Sequence, residues 1–482
     1  MSLSGALFNA FSGLTANARA AAVVSTNISN ATTEGYGRRS LDLSANSTGG
    51  YGGVRVDGVQ RHVDPVVLAD RRLSDAQLGQ GGALLNHATT LESLVGESGA
   101  PGSLTVALAE FETALISAAS NPAAVQRLET VAYKADGLAD KLNAISNGIQ
   151  KSREQADQSI ATQVETLNRT LERVQVINRD LVRSAGGNQD MGALLDERQK
   201  LVDAIAEIVP LRVVERDRGE IAIFTTGGAA LLDGQVRTIG FTQTSTIEAG
   251  MTQSSGALSG LTLAGYDVST DQKGLFRGGS LAAQFEIRDE RAVETQANLD
   301  AIARDLAERF GPGGPDTTLI AGDPGLFTDA GIAFDPVNEV GLSARISLND
   351  LVAPGSGEVW RLRDGLAANS QGPVGEARLL QAYTTALSDS RLPASGSLPA
   401  MAQNVADHLS TFASSIAGDR VRFEDDQTYF VAQNTALTEL ELAGGVNTDQ
   451  ELQSLLEVEK SYAANAKVMS VVDDLIKRLL NI

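Results

Sequence analysis

Both ends of this 482-residue sequence carry an amphipathic helical pattern, and each such face needs a second wall before it can be buried. At the N-terminal end, Leu3, Leu7, Phe11, Leu14, Ala18, Ala21, Ser25 and Ile28 recur at three- and four-residue steps, the spacing of a coiled-coil seam. At ~1.5 Å per residue such a helix is roughly 40 Å long. A polar run from Thr26 to Arg39 then stops it, because Asn, Ser and Thr side chains compete for the backbone and Gly35 and Gly37 permit turns. At the other end Leu452, Leu455, Leu456, Tyr462, Ala463, Ala466, Met469, Val472, Ile476 and Leu479 repeat in the same way, interrupted by Glu459 and Asp473. The two ends are therefore expected to pair and to bury their seams against neighbouring copies of the chain. The simpler alternative is two terminal helices that pack on one domain. The alanines at 18, 20, 21 and 22 are small enough for close helix approach in such a layer.

A formal charge of −21 argues against nucleic acid and against an anionic membrane surface as partners. There is no cysteine, which removes disulfides, thiol nucleophiles and Cys-ligated metals. No run of eighteen apolar residues predicts a membrane span, and Met1-Ser2-Leu3-Ser4-Gly5 lacks the basic start of a secretory signal.

Between the ends the period changes several times. Alternation at Leu41 and Leu43, then Gly49-Gly50-Tyr51-Gly52-Gly53 and Val54–Val59, predicts two short strands joined by a glycine-rich turn. Helical patterns follow over 65–95, 104–119 and 123–184, the last long enough to be rod-like, with a break at Gly186-Gly187-Asn188 and a further helix over 194–209. Residues 211–275 turn to Thr, Ser, Gly, Val and Ile, with strand candidates at Ile221–Phe224 and Val236–Ile239. Helix returns over 281–310, residues 311–370 are Gly- and Pro-rich with short strand candidates, and helices resume from 376.

Helices thus flank the β-rich segments on both sides, which predicts an α+β multidomain chain nested around its middle. Residues 1–31 with 448–482 form a terminal, coiled-coil-like inner core. Residues 32–210, 275–310 and 371–447 form a mainly helical, long-helix rod, with the termini together at one end. Residues 211–274 with 311–370 form one or more inserted β-rich outer domains.

Catalytic chemistry finds no foothold. His62, His87 and His408 do not make an HExxH pair and read as lone surface histidines. The runs Asp196-Glu197-Arg198 and Arg288-Asp289-Glu290-Arg291 read as solvated helix faces or i,i+4 pairs. No carboxylate pair has a spacing diagnostic of glycan hydrolysis, so neither an enzyme nor a cofactor or metal site is expected.

Ser12-Gly13-Leu14-Thr15-Ala16 followed by Thr26-Asn27-Ile28-Ser29-Asn30-Ala31-Thr32-Thr33-Glu34-Gly35-Tyr36 resembles the signature of flagellar rod, hook and hook-associated proteins, with Glu34 where proline is usual. In that resemblance Asn27, Asn30, Thr33, Gly35 and Tyr36 make up the turn motif. Gly53–Arg61, Leu194–Val202, Gly278–Leu281 with Arg288-Asp289, Gly445–Leu452 and Glu459–Met469 resemble segments of the hook-associated protein 1 family in the same order. The resemblance implies a structural axial component joining hook to filament, exported by the flagellar secretion apparatus to the extracellular flagellum and self-assembled into a tubular ring. It implies hook protein and a second junction protein or flagellin as axial neighbours, and an export chaperone on the C-terminal helix. A hook protein or a flagellin is the alternative within the same class. An amphipathic helix without a second wall does not hold its fold, so the ends are expected to order on assembly.

Overall fold

The computed structural model describes residues 3–46, 52–184, 191–271 and 273–480. The glycine turn at 49–51 and the break at 186–188 lie outside the described residues.

In chain order, helix α1 (Leu3–Ser29) leads into an antiparallel pair, β1 (Arg38–Ala45) and β2 (Val54–His62), whose register runs from Arg38 opposite His62 to Ala45 opposite Val54 with a bulge at Asp42/Leu43. Helix α2 (Pro65–Val95) starts where Asp64 accepts hydrogen bonds from the N–H groups of Val66 and Val67 and Pro65 supplies the first-turn φ, and it ends at Gly96. Ser103 caps α3 (Leu104–Ser120), which hairpins into α4 (Val125–Ser184). At 60 residues, α4 is about 90 Å long and serves both of the larger cores.

Helix α5 (Gly192–Ala206) precedes a four-stranded antiparallel sheet of β3 (Leu211–Glu215), β4 (Ile221–Thr225), β5 (Ala230–Asp233) and β6 (Gln235–Val236). A three-stranded sheet follows, from β7 (Ile239–Gly240), β8 (Leu261–Leu263) and β9 (Tyr266–Val268). The strand expected over Val236–Ile239 is therefore split, its two ends going to different sheets. Helices α6 (Gly279–Glu286) and α7 (Ala292–Arg309) are continuous through a π turn at Ile287–Arg291. Strands β10 (Phe327–Asp329) and β11 (Ile346–Leu348) flank the short α8 (Leu342–Arg345). Helices α9 (Arg361–Asp364), α10 (Arg378–Ser388), α11 (Val405–Ala443) and α12 (Thr448–Leu480) complete the chain.

One core gathers α3, the N-terminal half of α4, α7, α10 and the start of α11 around Phe111, Phe310, Phe327 and Tyr383, whose rings meet edge-on or tilted. A second joins Ile160–Val174 of α4 to α5, α6 and the two β3–β9 sheets, and a smaller third sets Leu84 and Ala88 of α2 against Ala156, Ala283, Ile287 and Phe423. The segments 211–274 and 311–370, expected as one or more β-rich domains, contribute to different cores. Residues 311–370 hold only two three-residue strands and short helical turns, and their apolar residues Leu326, Leu342, Val352 and Leu362 fill the helical core. Sparse, irregular apolar residues between glycines carry no period, so a buried irregular segment and a strand-rich one look alike in sequence.

Candidate functional site

The ends of the chain meet each other. Asn27 on α1 touches Glu451 on α12, and Gly13 faces Asn465, so the two helices run antiparallel. The contact face of α1 is built from small residues, with Gly5, Ala10, Gly13, Ala16 and Val24 buried. A Cβ at Gly13 would sit 2.7 Å from Asn465 Nδ2, so the absence of a side chain is what lets the helices approach there. On α12 only Glu451 and Val472 are buried.

The expected seam falls mostly beside this contact. Leu3, Leu7, Leu14, Ala21 and Ile28 are half-buried, while Phe11, Ala18 and Ser25 are exposed. On α12, Leu455, Ala466, Met469 and Ile476 are half-buried and Val472 is buried, whereas Leu452, Leu456, Tyr462, Ala463 and Leu479 are exposed. Leu456 is 55 % and Leu479 60 % exposed, and Phe8, Val468, Val471 and Leu475 are exposed as well. Close approach comes from Gly5 to Ala16, not from the alanines at 18 to 22, of which Ala18 and Ala22 are exposed. Although the ends were expected to lack a wall of their own, each helix supplies part of one to the other, and large apolar side chains remain on the outside.

The turn motif is a hydrogen-bonded hub beneath this pair. Asn27 is fully buried: its amide donates to Arg39 O (2.8 Å) and to the Glu451 carboxylate (3.1 Å), and its carbonyl accepts from Arg39 N–H (3.0 Å) and Tyr36 O–H (2.8 Å). Both donors and both lone pairs of the side chain are used, which explains an asparagine at a buried site. Asn30 donates to Thr26 O, closing the helix end, and Thr33 donates to Asn30 Oδ1. Gly35 has φ +72°, and a Cβ there would lie 2.7 Å from Lys200 Cγ. Tyr36 also lies under the Arg39 guanidinium, 5.0 Å from its ring centre.

Charge pairs tie the hub to the body. Asp196 of α5 accepts from Gly37 N–H (3.0 Å), Arg61 Nε (2.7 Å) and Arg39 Nη2 (2.7 Å). Arg61 also donates to Gly35 O and to Gln199, which in turn donates to Glu441 on α11. Arg71 pairs with Asp75, Asp203 and Glu441, and Arg72 with Asp203. Burial pushes the Asp75 carboxyl up against the pull of Arg71. Burial also pulls Arg198 down to about 10, helped by the positive charge of Arg61.

Two expectations are corrected here. Asp196 is not on a solvated face, and neither is Arg288, which is fully buried against Asp157 with the Phe241 and Phe285 rings alongside. Of the three histidines only His62 is at the surface. His87 is buried with Nδ1 on Ser152 Oγ, and His408 is buried with Nε2 on Arg391 O. The residues missed by sequence reasoning, Arg38, Arg39, Arg61, Asp196, Asp203, Glu441 and Glu451, meet partners up to 424 positions away, and no local spacing signals such pairs. Among the described residues no cluster of His, Asp or Glu is arranged to hold a metal ion, and no helix is long and apolar enough to cross a membrane.

Comparison with known proteins finds flagellar proteins at two places. Residues 88–312 match the family described as Flagellar hook-associated protein FlgK helical domain, and residues 443–482 match Flagellar basal body rod FlgEFG protein C-terminal. The chain is 26 % identical over 319 residues to flagellar hook-associated protein 1 of Escherichia coli, covering 64 % of this chain and 56 % of that protein. The Salmonella typhimurium protein of that name gives 26 % over 318 residues with the same shares. The Bacillus subtilis one is 21 % identical over 508 residues, 97 % of this chain and 96 % of its own length. The solved flagellar hook junction protein FlgK from Burkholderia pseudomallei superposes with a TM-score of 0.43 at 18 % identity, over 54 % of this chain and 46 % of that one. The chain is thus similar to flagellar hook-associated proteins over residues 88–312 and to flagellar rod proteins over residues 443–482. The alignments with the two enteric relatives span little more than half of those proteins.

Proposed function

We propose that this chain is a structural, non-enzymatic component of the bacterial flagellar axis that joins hook to filament, and that it assembles by burying the outer flank of its α1–α12 pair against neighbouring copies in a tubular ring. The observation that carries this reading is the flank itself. The antiparallel terminal helices leave Phe8, Phe11, Leu452, Leu456, Leu475 and Leu479 between 43 % and 64 % exposed. Burying each such side chain contributes ~1.5–3 kcal/mol, so a handful supplies on the order of 10 kcal/mol per copy once the ring closes. The name shared by the relatives, hook-associated protein 1, points to the same place in the organelle.

In this reading the chain leaves the cell through the flagellar export apparatus, which a cysteine-free polypeptide can traverse without disulfides to undo. Its axial neighbours are hook protein on one side and a second junction protein or flagellin on the other. Before assembly an export chaperone covers α12, whose exposed leucines would otherwise be sticky in solution. The match at 443–482 is to a rod-protein model, so the terminal helix speaks for the axial class as a whole, while the match at 88–312 favours the junction protein over hook protein or flagellin.

Immunogold labelling of isolated flagella tests the reading: label confined to the hook–filament boundary is expected, and label along the filament or absent from flagella refutes it. The variant Leu452→Gln/Leu456→Gln is expected to leave the unassembled chain folded and to remove it from the boundary. Incorporation at the wild-type level would show that the flank is not the assembly surface.

A further inference from the structure

We propose that Glu451 sets the register of the α1–α12 pair. The packing alone specifies it weakly, because the buried α1 face is glycine and alanine as far as Ala16, with Val24 the one larger apolar residue, and the α12 face is a mixture of half-buried aliphatics, so a slide of one heptad mostly exchanges like for like. Glu451 is different: it is the one buried charge on α12 among the described residues, 1 % exposed, with Oε1 on Arg38 Nε at 2.7 Å and Oε2 on Asn27 Nδ2 at 3.1 Å.

Both neighbouring registers spoil this pairing. In the antiparallel pair, sliding α12 by seven residues one way brings Glu451 opposite Ala20, where a buried carboxylate meets a methyl group. Sliding it the other way brings Glu451 to the level of Glu34 and places the Asn27 amide opposite Val458. An unpaired buried carboxylate, a like-charge contact and an orphaned amide are each costly, whereas the native register satisfies all three groups at once. Asn465 works in the same direction: it fits over Gly13, and either slide would set it against an alanine, Ala6 or Ala20. A single buried polar residue that fixes register at some cost in stability is the device that coiled coils use at their core positions.

The inference deepens the assembly role proposed above, since register decides which large side chains stand side by side on the outer flank. It is tested in the unassembled chain, so its failure and that of the axial role are separate results. The native chain has no cysteine, so engineered thiols have no competitors. A Cβ at Gly13 lies 3.0 Å from Asn465 Cγ, and a disulfide places each Cβ about 3 Å from the far sulfur, so Gly13→Cys with Asn465→Cys reports the native register. Gly13→Cys with Val458→Cys or with Val472→Cys reports a slide of one heptad either way.

With Glu451 present, mild oxidation is expected to cross-link the 13/465 pair with a yield roughly tenfold or more above either shifted pair. In Glu451→Leu the shifted pairs are expected to rise to within about threefold of it, while Glu451→Gln, which keeps the shape and the acceptor for Asn27, retains the native preference. An unchanged protease-resistant body in every variant shows that the rest of the chain is folded. Cross-linking at 13/465 alone in Glu451→Leu, as in Glu451→Gln, would overturn the proposal and assign register to packing.

Discussion

Replacing Asp196 by alanine should loosen the attachment of the terminal helices while leaving the body intact. The carboxylate accepts two charge-assisted bonds at 2.7 Å, from Arg39 and Arg61, and a third from Gly37 N–H at 3.0 Å. The side chains of Arg39 and Arg61 are 11 % and 14 % exposed, so water replaces little of what is lost. Removing one partner of a buried charge pair costs about 3–5 kcal/mol. Arg61 keeps Gly35 O and Gln199, which argues for the lower end. A loss of about 3 kcal/mol raises the population of the opened turn hub roughly 150-fold. Amide hydrogen exchange at Gly37 and Arg39 reads this directly, because their N–H groups donate to Asp196 and Asn27. Exchange at these amides should accelerate about 100-fold in Asp196→Ala, with protection in α3, α4 and α7 unchanged. Asp196→Asn, which keeps the shape and an acceptor, should lie in between. Exchange in Asp196→Ala within about threefold of wild type would refute the view that this carboxylate fastens the turn to the body.

Other consequences are as testable. Burial, aided by the Arg291 charge, pulls His87 from an ordinary 6.5 down to about 4. The folded state therefore resists a proton that the unfolded chain accepts, and stability complete above pH 6.5 falls as pH drops toward 4, by up to ~3 kcal/mol. His87→Gln should flatten the melting temperature between pH 7 and pH 4.5 relative to wild type. Gly35→Ala places a Cβ at φ +72° against Lys200, so a local cost of about 1–2 kcal/mol is expected, seen as faster proteolysis within 30–37. Phe310→Ala removes the ring that touches Phe111, Phe327 and Tyr383, and should cost ~3–5 kcal/mol in denaturant unfolding of the helical core while the α1–α12 pair remains protected.

Much of the secondary structure was legible in the sequence because long helices repeat their apolar positions many times. Pro65–Val95 and the helix ending at Ser184 were read to within two residues or better, each bounded by a proline, glycine or asparagine at its start or stop. The contact between the ends was legible only in part. Periodicity gives weight to large residues such as Leu7 and Phe11, whereas the helices touch through Gly13 and Ala16, whose virtue is absence of bulk. The turn motif was recognisable as a turn, but its role as a buried hub was not, since what Asn27 does depends on Glu451 at the other end of the chain. The charged runs around Asp196 and Arg288 look the same in sequence whether solvated or buried. Only the fold decides, by bringing β1, β2 and α5 together in one case and α4 and the π turn in the other.

The pairing of helices whose contacts lie 424 positions apart bears on how the chain can finish folding. Closing so long a loop from a random coil is entropically expensive, and a contact made of glycines and alanines offers little in return. The body removes the difficulty, because α2 and α11 pack antiparallel and hold the roots of the two terminal segments in one place, with Asn434 on Asp75 and Gln199 on Glu441. Once that framework has formed, the last two helices meet as tethered neighbours at an effective concentration in the millimolar range, without a search through space. The same two helices cut free and mixed as peptides should barely associate, so the scaffold between them, and not their mutual affinity, is what makes them a pair.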